Sequence, residues 1–370
     1  MKTAIVCDWL AMPGGAEKAL GEMLTCFPEA DLFAVVDFLP ENHRAFLGKK
    51  RVKTTFIQKL PFAKKYYRHY LPLMPIAIEQ LDLSPYDFIL SSSHAVAKGV
   101  ITGPDQLHIC YIHSPMRYAW DLQHQYLRET GLDKKWLGLL ARYFLHRLRQ
   151  WDVRSAHGVD YFIANSNYIA RRVLKTYRRK ADVIYPGVEL QRFTPHYQKE
   201  DFYLTASRLV PYKRIDLIVE TFAMMPDKKL IVIGSGPELN KIKSKATANV
   251  NVMGYQPDDI LIKMMQRAKA FIFAAEEDFG LIPLEAQSCG TPVIAYGKGG
   301  AKETVRSKEN PTGLFFNEQT VQSLKAAILQ FESTQHLFTV ENCVQHASSF
   351  SLDQFRKNLI HYVHDKMNVS

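Results

Sequence analysis

The feature that most constrains this chain is an alternation, made twice over, of short apolar runs with longer amphipathic stretches. Short apolar runs bounded by glycine, proline and polar residues read as strands buried on both faces. An amphipathic stretch between two of them reads as a helical crossover, so the pattern is that of βαβ units in a doubly wound parallel sheet. In the first half the runs fall at about 2–8, 31–37, 86–91, 107–113 and 160–164, with a helix expected over 16–27. In the second half they fall at about 201–207, 229–234, 250–253, 269–275, 292–296 and 314–316.

Between the halves, the stretch from Tyr185 to Pro195 is rich in punctuating residues and lacks periodicity, which places a linker near 186–200. The expected organisation is a Rossmann-like domain over 1–187, a second over 200–350, and an amphipathic C-terminal helix within 351–370 that packs back on the first. A length of 370 residues suits two cores better than one.

With 47% hydrophobic and 23% charged residues and no biased tract, the composition is that of a folded protein with a real interior. Five scattered cysteines, never spaced C-x-x-C, argue against a disulfide framework or a structural zinc site and suit a reducing cytoplasm. No apolar run approaches the ~18 residues of a membrane span, and the one at the N-terminus is too short for a signal-peptide core. A cytoplasmic protein is expected, with peripheral attachment to the inner face of the membrane left open. The formal charge of +10 implies attraction to nucleic acid, anionic lipid or a phosphorylated substrate, and charge alone does not choose among them.

Open α/β sheets bind ligands beyond the carboxyl ends of their strands. The run 269–275 leads directly into Glu276-Glu277-Asp278-Phe279-Gly280-Leu281, and the next helix carries Glu285. Three acids at a strand end repel one another unless something cationic or hydroxyl-rich faces them, which a polyhydroxylated ligand does. A solvated acidic turn before a helix is the plain alternative. The run 201–207 is followed by Arg208-Leu209-Val210-Pro211-Tyr212-Lys213-Arg214. A guanidinium and an ammonium there suit a departing diphosphate, although a basic solvated loop reads the same way in isolation. Gly234-Ser235-Gly236-Pro237 is a Gly-x-Gly turn suited to backbone contact with phosphate or ribose, and it lacks the third glycine of the dinucleotide fingerprint.

Together, Ser207-Arg208-Leu209-x-x-x-Lys213, the Gly234-x-Gly236-Pro237 turn, Gly254-Tyr255, the Glu277-x7-Glu285 pair with Phe279-Gly280-Leu281, and Gly299-Gly300-x-x-Glu303 resemble family 4 retaining glycosyltransferases, over about 201–305. The resemblance implies the GT-B fold, α/β with two Rossmann-like domains facing a central cleft. It also implies a role for each matching residue. Arg208 and Lys213 clamp the donor diphosphate, Glu277 and the backbone of Phe279, Gly280 and Leu281 contact the donor sugar, Glu285 holds the ribose, and Tyr255 lies where the base is contacted.

In the first half, Met12-Pro13-Gly14-Gly15-Ala16 opens the first helix with a glycine pair, which presents amides to an anion or sugar oxygen or serves only as a flexible turn. Gly14 and Gly15 resemble the family's loop near the donor phosphate. His113 stands at the end of the run 107–113 and is similar to a family histidine on the reacting side of the donor sugar. The string His113-Ser114-Pro115-x-Arg117-Tyr118-x-Trp120-Asp121 resembles a subset that includes bacterial mannosyltransferases of surface-polysaccharide assembly. This favours GDP-mannose as donor and a glycan or polyprenyl-diphosphate-linked acceptor, with a UDP-sugar as the alternative donor.

The stretch 56–71 interleaves aromatics with basic residues over about four turns, and 142–154 is basic again. Both suit an anionic membrane surface or, equally, a solvated helix face. No Asp-x-Asp occurs, so neither a metal nor another cofactor is expected. No second carboxylate is placed as a base, which leaves a route in which the leaving phosphate takes the acceptor's proton. The incomplete fingerprint argues against a nucleotide-dependent oxidoreductase. An epimerase or phosphorylase on the same scaffold would differ in needing no acceptor, or free phosphate. Nucleic-acid binding lacks exposed aromatic platforms on strands.

Overall fold

A computed structural model describes residues 1–12, 14–129, 131–133 and 136–368. Pro13 of the glycine-opened turn and the last two residues of the 351–370 tail lie outside that set. Backbone contacts divide the chain into two units, Met1–Tyr185 with Phe355–Ser370, and Pro186–Gln354.

The first unit is built on a parallel seven-stranded sheet: β1 (Thr3–Cys7), β2 (Asp31–Ala34), β3 (Val52–Thr54), β4 (Phe88–Ser93), β5 (Leu107–Ile112), β6 (Tyr161–Ala164) and β7 (Ala181–Val183). Its order is β3-β2-β1-β4-β5-β6-β7. The chain works outward from β1 to one edge and then returns to lay β4 on the other side of β1, with Cys7 beside Ser92. The β1/β4 boundary is therefore the point at which strand order reverses, where such sheets open a crevice. Alternate residues of the buried strands supply two cores. Ile5, Leu32, Leu90 and Ile109 pack against Leu20 and Met23 of the helix Gly15–Cys26 and against Phe355, Leu359 and Val363 of the last helix, Leu352–Met367. On the opposite face Ala4, Val6, Phe33 and Ile89 pack with Tyr67, Met74, Ile78 and Leu148.

The second unit holds β8 (Tyr203–Ala206), β9 (Leu230–Ile233), β10 (Val250–Gly254), β11 (Ala270–Phe273), β12 (Val293–Tyr296) and β13 (Gly313–Phe316) in the order β10-β9-β8-β11-β12-β13. Here the reversal falls between β8 and β11. Ile218 and Phe222 from one helix, and Leu324, Ile328 and Phe331 from another, close over Val232, Ile272 and Ile294.

All six strands expected in the second half are present, and all five in the first. β3 and β7 are additional. Both are three-residue edge strands with no buried position, so they carry no apolar run from which to be read. The stretch 56–71 is not one amphipathic helix. Pro61 interrupts it, because proline denies the helix a donor and clashes with the preceding turn. It forms instead a 3-10 turn at Phe56–Lys59, a single α-turn at Ala63–Tyr66 and a second 3-10 stretch at Tyr67–Leu73. Ile57 and Tyr67 are buried, whereas Phe62 is 79% exposed. Among the described residues no helix is long and apolar enough to cross a membrane.

Candidate active site

In the second unit the chemistry-bearing loops gather at the β8/β11 reversal. After β8 the chain makes one 3-10 turn, Pro211–Lys213, which the fixed φ of Pro211 starts. From there the Lys213 ammonium forms an ion pair with Glu277, which follows β11, so a cation and a carboxylate meet across the crevice between the two strands. Arg208, on the same loop, is exposed and makes no side-chain hydrogen bond or ion pair among the described residues. A partly buried ion pair beside an unpaired guanidinium suits a ligand that carries both anionic oxygens and hydroxyl groups.

The glycines around these residues are explained by close approach. A Cβ on Gly234 would lie 1.8 Å from the Ser207 carbonyl oxygen, so the turn after β9 underlies the Arg208 loop with no room for a side chain. The Leu209 amide donates to the Ser235 carbonyl at 2.9 Å, so this turn supports the Arg208 loop. A Cβ on Gly300 would lie 2.3 Å from the Phe279 Cα, and the Gly300 amide donates to the Glu277 carbonyl at 2.8 Å. The Gly299-Gly300 pair thus braces the Glu277 loop from below. Gly280 takes the left-handed region, φ 86°, and caps the helix Leu281–Ser288, in which Glu285 is buried. Phe279 is buried with its ring 5.9 Å from that of Phe350. Tyr255 is 73% exposed at the end of β10. Arg208, Lys213, Gly234, Gly236, Glu277, Phe279 and Gly280 therefore stand at the carboxyl end of the sheet, with Glu285 one turn into the helix that leaves it.

In the first unit Gly14 caps the helix Gly15–Cys26 with extended backbone, and both glycines are exposed at the end of β1. His113 closes β5. Burial and then the nearby charge of His94 lower its pKa to about 3, so its ring is neutral, and its Nε2 lies 2.9 Å from the Ser92 hydroxyl. Trp120 and Asp121 of the same string have structural partners: the Trp120 indole donates to Asp152 at 2.7 Å, and Asp121 pairs with Arg172.

Two residues at the β1/β4 reversal escaped the sequence reading. Asp8 directly follows β1 and is fully buried. Its carboxylate accepts the amides of His94 (2.6 Å), Ala95 (3.0 Å), Val96 (2.6 Å) and Ala97 (2.7 Å), and lies 3.0 Å from Nδ1 of His94, which directly follows β4. Burial opposes ionisation of Asp8, but the charge and hydrogen bonds of His94, with the amides, prevail and lower its pKa to about 2. Burial pulls the His94 pKa down, and Asp8, with a smaller part from Glu17, more than reverses it. The available signal was a titratable residue placed immediately after each of two buried strands that become neighbours. Nothing in the sequence alone makes them neighbours.

Two family models match the chain, Glycosyltransferase Family 4 over residues 13–192 and Glycosyl transferases group 1 over residues 189–348. A GDP-mannose-dependent monoacylated alpha-(1-6)-phosphatidylinositol monomannoside mannosyltransferase of Corynebacterium glutamicum is 31% identical over 39% of this chain and 45% of its own length. A D-inositol 3-phosphate glycosyltransferase of Mycobacterium sp. (strain JLS) is 26% identical over 52% and 49%. The chain thus spans about half the length of these relatives. Among solved structures, sucrose-phosphate synthase from Thermosynechococcus elongatus superposes with a TM-score of 0.75 at 17% identity, covering 100% of both chains. Anabaena HepE in complex with UDP and glucose superposes with a TM-score of 0.71 at 18% identity, covering 98% of this chain and 100% of that one.

Proposed function

Because the chain belongs to the family 4 glycosyltransferases of the GT-B fold, we propose that it transfers a hexose with retention from a nucleotide-sugar donor, without a metal, to a glycan acceptor. The observation that carries this reading is the Lys213–Glu277 ion pair at the β8/β11 reversal with Arg208 unpaired beside it. As the glycosidic bond to the donor breaks, negative charge collects on the diphosphate. Two cations carried on one short loop stabilise that charge. A diphosphate that engages Lys213 frees carboxylate oxygens of Glu277 for sugar hydroxyls, so recognition of the sugar and release of the diphosphate are coupled through one ion pair. Glu285, on the following helix, is assigned to the ribose.

GDP-mannose is the favoured donor. Its support is the His113–Asp121 string and the name carried by the Corynebacterium relative. The name of the HepE complex keeps UDP-sugars in the test. The favoured acceptor is a polyprenyl-diphosphate-linked glycan of surface-polysaccharide assembly, met at an anionic membrane. For that contact the first unit offers Phe62 and Tyr66 beside Lys64 and Lys65, and also Trp136, Leu139 and Tyr143, exposed by 76%, 71% and 58%, near Arg142. Aromatics flanked by bases are the composition that an anionic interface selects.

The test is a panel of GDP-mannose, GDP-glucose, UDP-glucose and UDP-galactose, with and without EDTA, read by thermal shift and by release of nucleoside diphosphate. One donor is expected to raise the melting temperature and to be hydrolysed slowly in EDTA, with both effects lost in Glu277→Ala. The reading fails if no donor acts or if Glu277→Ala behaves as the parent.

A further inference from the structure

In the second unit the helix Val340–Ser348 is followed by Ser349, Phe350 and Ser351, after which the helix Leu352–Met367 begins. A connection that short is usually polar and lies in solvent, yet the aromatic between the two serines is buried. Its backbone is fixed at both polar groups. The Phe350 amide donates to the Ala347 carbonyl at 3.0 Å, and the Phe350 carbonyl accepts the Val188 amide at 2.7 Å. Val188 also forms a parallel bridge with Ser351, and a Cβ on Gly187 would lie 2.6 Å from the Leu352 Cα. The segments by which the chain enters and leaves the second unit therefore lie side by side, with no room for a side chain at Gly187, and together they hold Phe350. The Phe350 ring meets that of Phe279 with centroids 5.9 Å apart and planes tilted by 52°, and the His346 ring packs edge-on against it at 5.3 Å. Phe279 is itself buried and stands two residues after Glu277. The rest of the grip on this loop is on its main chain: the Gly300 amide donates to the Glu277 carbonyl, and a Cβ on Gly299 would lie 2.4 Å from the same oxygen. Phe279 thus gives the loop a buried side-chain anchor, and Phe350 is a surface it is anchored to.

We propose that Phe350 is a positioning residue for the donor sugar: through the Phe279 ring it fixes the loop that aims the Glu277 carboxylate. The assignment rests on the donor-site reading above, in which Glu277 takes sugar hydroxyls while Arg208 and Lys213 take the diphosphate. The two parts of the donor then have separate supports. The Arg208 loop is seated on the glycine turn after β9, where Gly234 lies against the Ser207 carbonyl and Gly236 against that of Leu209, whereas the Glu277 loop is seated on Phe350 and the Gly299-Gly300 pair. Removing the Phe350 ring loosens the hold on the sugar and leaves the hold on the diphosphate in place.

The experiment is calorimetric titration of the donor that the panel identifies, and separately of its free nucleoside diphosphate, into the parent, Phe350→Leu and Phe331→Leu. Phe331 is the control, a buried ring of the same unit that packs on Tyr203 and Phe338. Phe350→Leu should weaken the nucleotide sugar by about 3- to 10-fold, the scale of one aromatic pair, and the free diphosphate by less than about 2-fold. Phe331→Leu should leave the ratio of the two affinities at the parent value, whatever it does to the melting temperature. Adding Phe279→Leu to Phe350→Leu should cost little further sugar affinity, because either substitution breaks the same contact. If Phe350→Leu does not fold, Phe350→Met, whose flexible side chain fills irregular space, takes its place. Sugar affinity unchanged in Phe350→Leu overturns the assignment. So does equal weakening of sugar and diphosphate, a sugar-selective loss reproduced by Phe331→Leu, or additive losses in the double variant. A parent protein that binds no nucleotide sugar overturns the donor-site reading itself, and this assignment with it.

Discussion

Replacing Asp152 with asparagine tests how the first unit holds the loop that carries His94. Asp152 and Lys98 form an ion pair in which both side chains are almost wholly inaccessible, with exposures of 0% and 1%. Lys98 lies in the 3-10 turn Ala97–Gly99, directly after the amides that hold Asp8, and also donates to the Ala95 carbonyl at 3.3 Å. Asp152 lies in the helix Leu137–Ala156 and accepts two more hydrogen bonds, from the Trp120 indole at 2.7 Å and the Tyr177 hydroxyl at 2.9 Å. Asp152→Asn leaves a buried ammonium without its counter-charge and turns an amide N–H toward donors. Breaking a buried pair from one side costs about 3–5 kcal/mol. Against a total of about 5–15 kcal/mol for a folded protein, that is about a fifth or more of the stability. For a unit of this size it lowers the melting temperature by roughly 6–20 °C. The double variant Lys98→Met/Asp152→Asn removes both charges while the asparagine oxygen still accepts from Trp120 and Tyr177, and it should recover much of the loss, because the isolated charge, more than the missing attraction, is what destabilises. Urea unfolding followed by tryptophan fluorescence measures all three. A cost below about 1 kcal/mol for Asp152→Asn, or a double variant as unstable as the single one, refutes the reasoning.

Three further outcomes follow. Arg208→Ala and Lys213→Ala should each lower kcat by about 100-fold, the scale set by removing one preorganised donor from developing charge, with melting temperature little changed; steady-state kinetics with the donor found in the panel measure this. Gly300→Ala should destabilise the second unit and abolish the donor-induced thermal shift, because its Cβ would sit 2.3 Å from the Phe279 Cα. Acid should destabilise the first unit before its carboxylates titrate. Burial, above all other effects, lowers the His108 pKa from 6.5 to about 4, so its contribution is complete above 6.5 and is lost as pH falls toward 4. Between pH 7 and pH 5 this amounts to about 2 kcal/mol, visible as a lower urea midpoint, and His108→Gln should reduce the fall without abolishing it, because His113, lowered to about 3, contributes in the same direction.

Much of the fold could be read from residues because both sheets are parallel. Strands such as Thr3–Cys7, buried at every position, are written as unbroken apolar runs that alternation with helices makes unmistakable. The half-exposed edge strands Val52–Thr54 and Ala181–Val183 have no such signature. In the second unit the loop motifs were legible because glycine is demanded by backbone contact, as where Gly234 lies under Ser207, and the demand leaves a fixed residue type at a fixed spacing. What could not be read was pairing across the sheets. Lys213 meeting Glu277 and Asp8 meeting His94 both depend on which strands become neighbours at a reversal, and strand order is not written in any local stretch. For the same reason His113 stood out in sequence while His94, whose partner Asp8 lies 86 positions away, did not.

The most direct test of the β8/β11 site is calorimetric titration of the donor that the panel identifies into the parent protein and into Arg208→Ala/Lys213→Ala. The account predicts saturable binding to the parent in EDTA. It predicts binding weakened beyond detection in the double variant, whose melting temperature without donor matches the parent's. Equal affinity in the two proteins would contradict it.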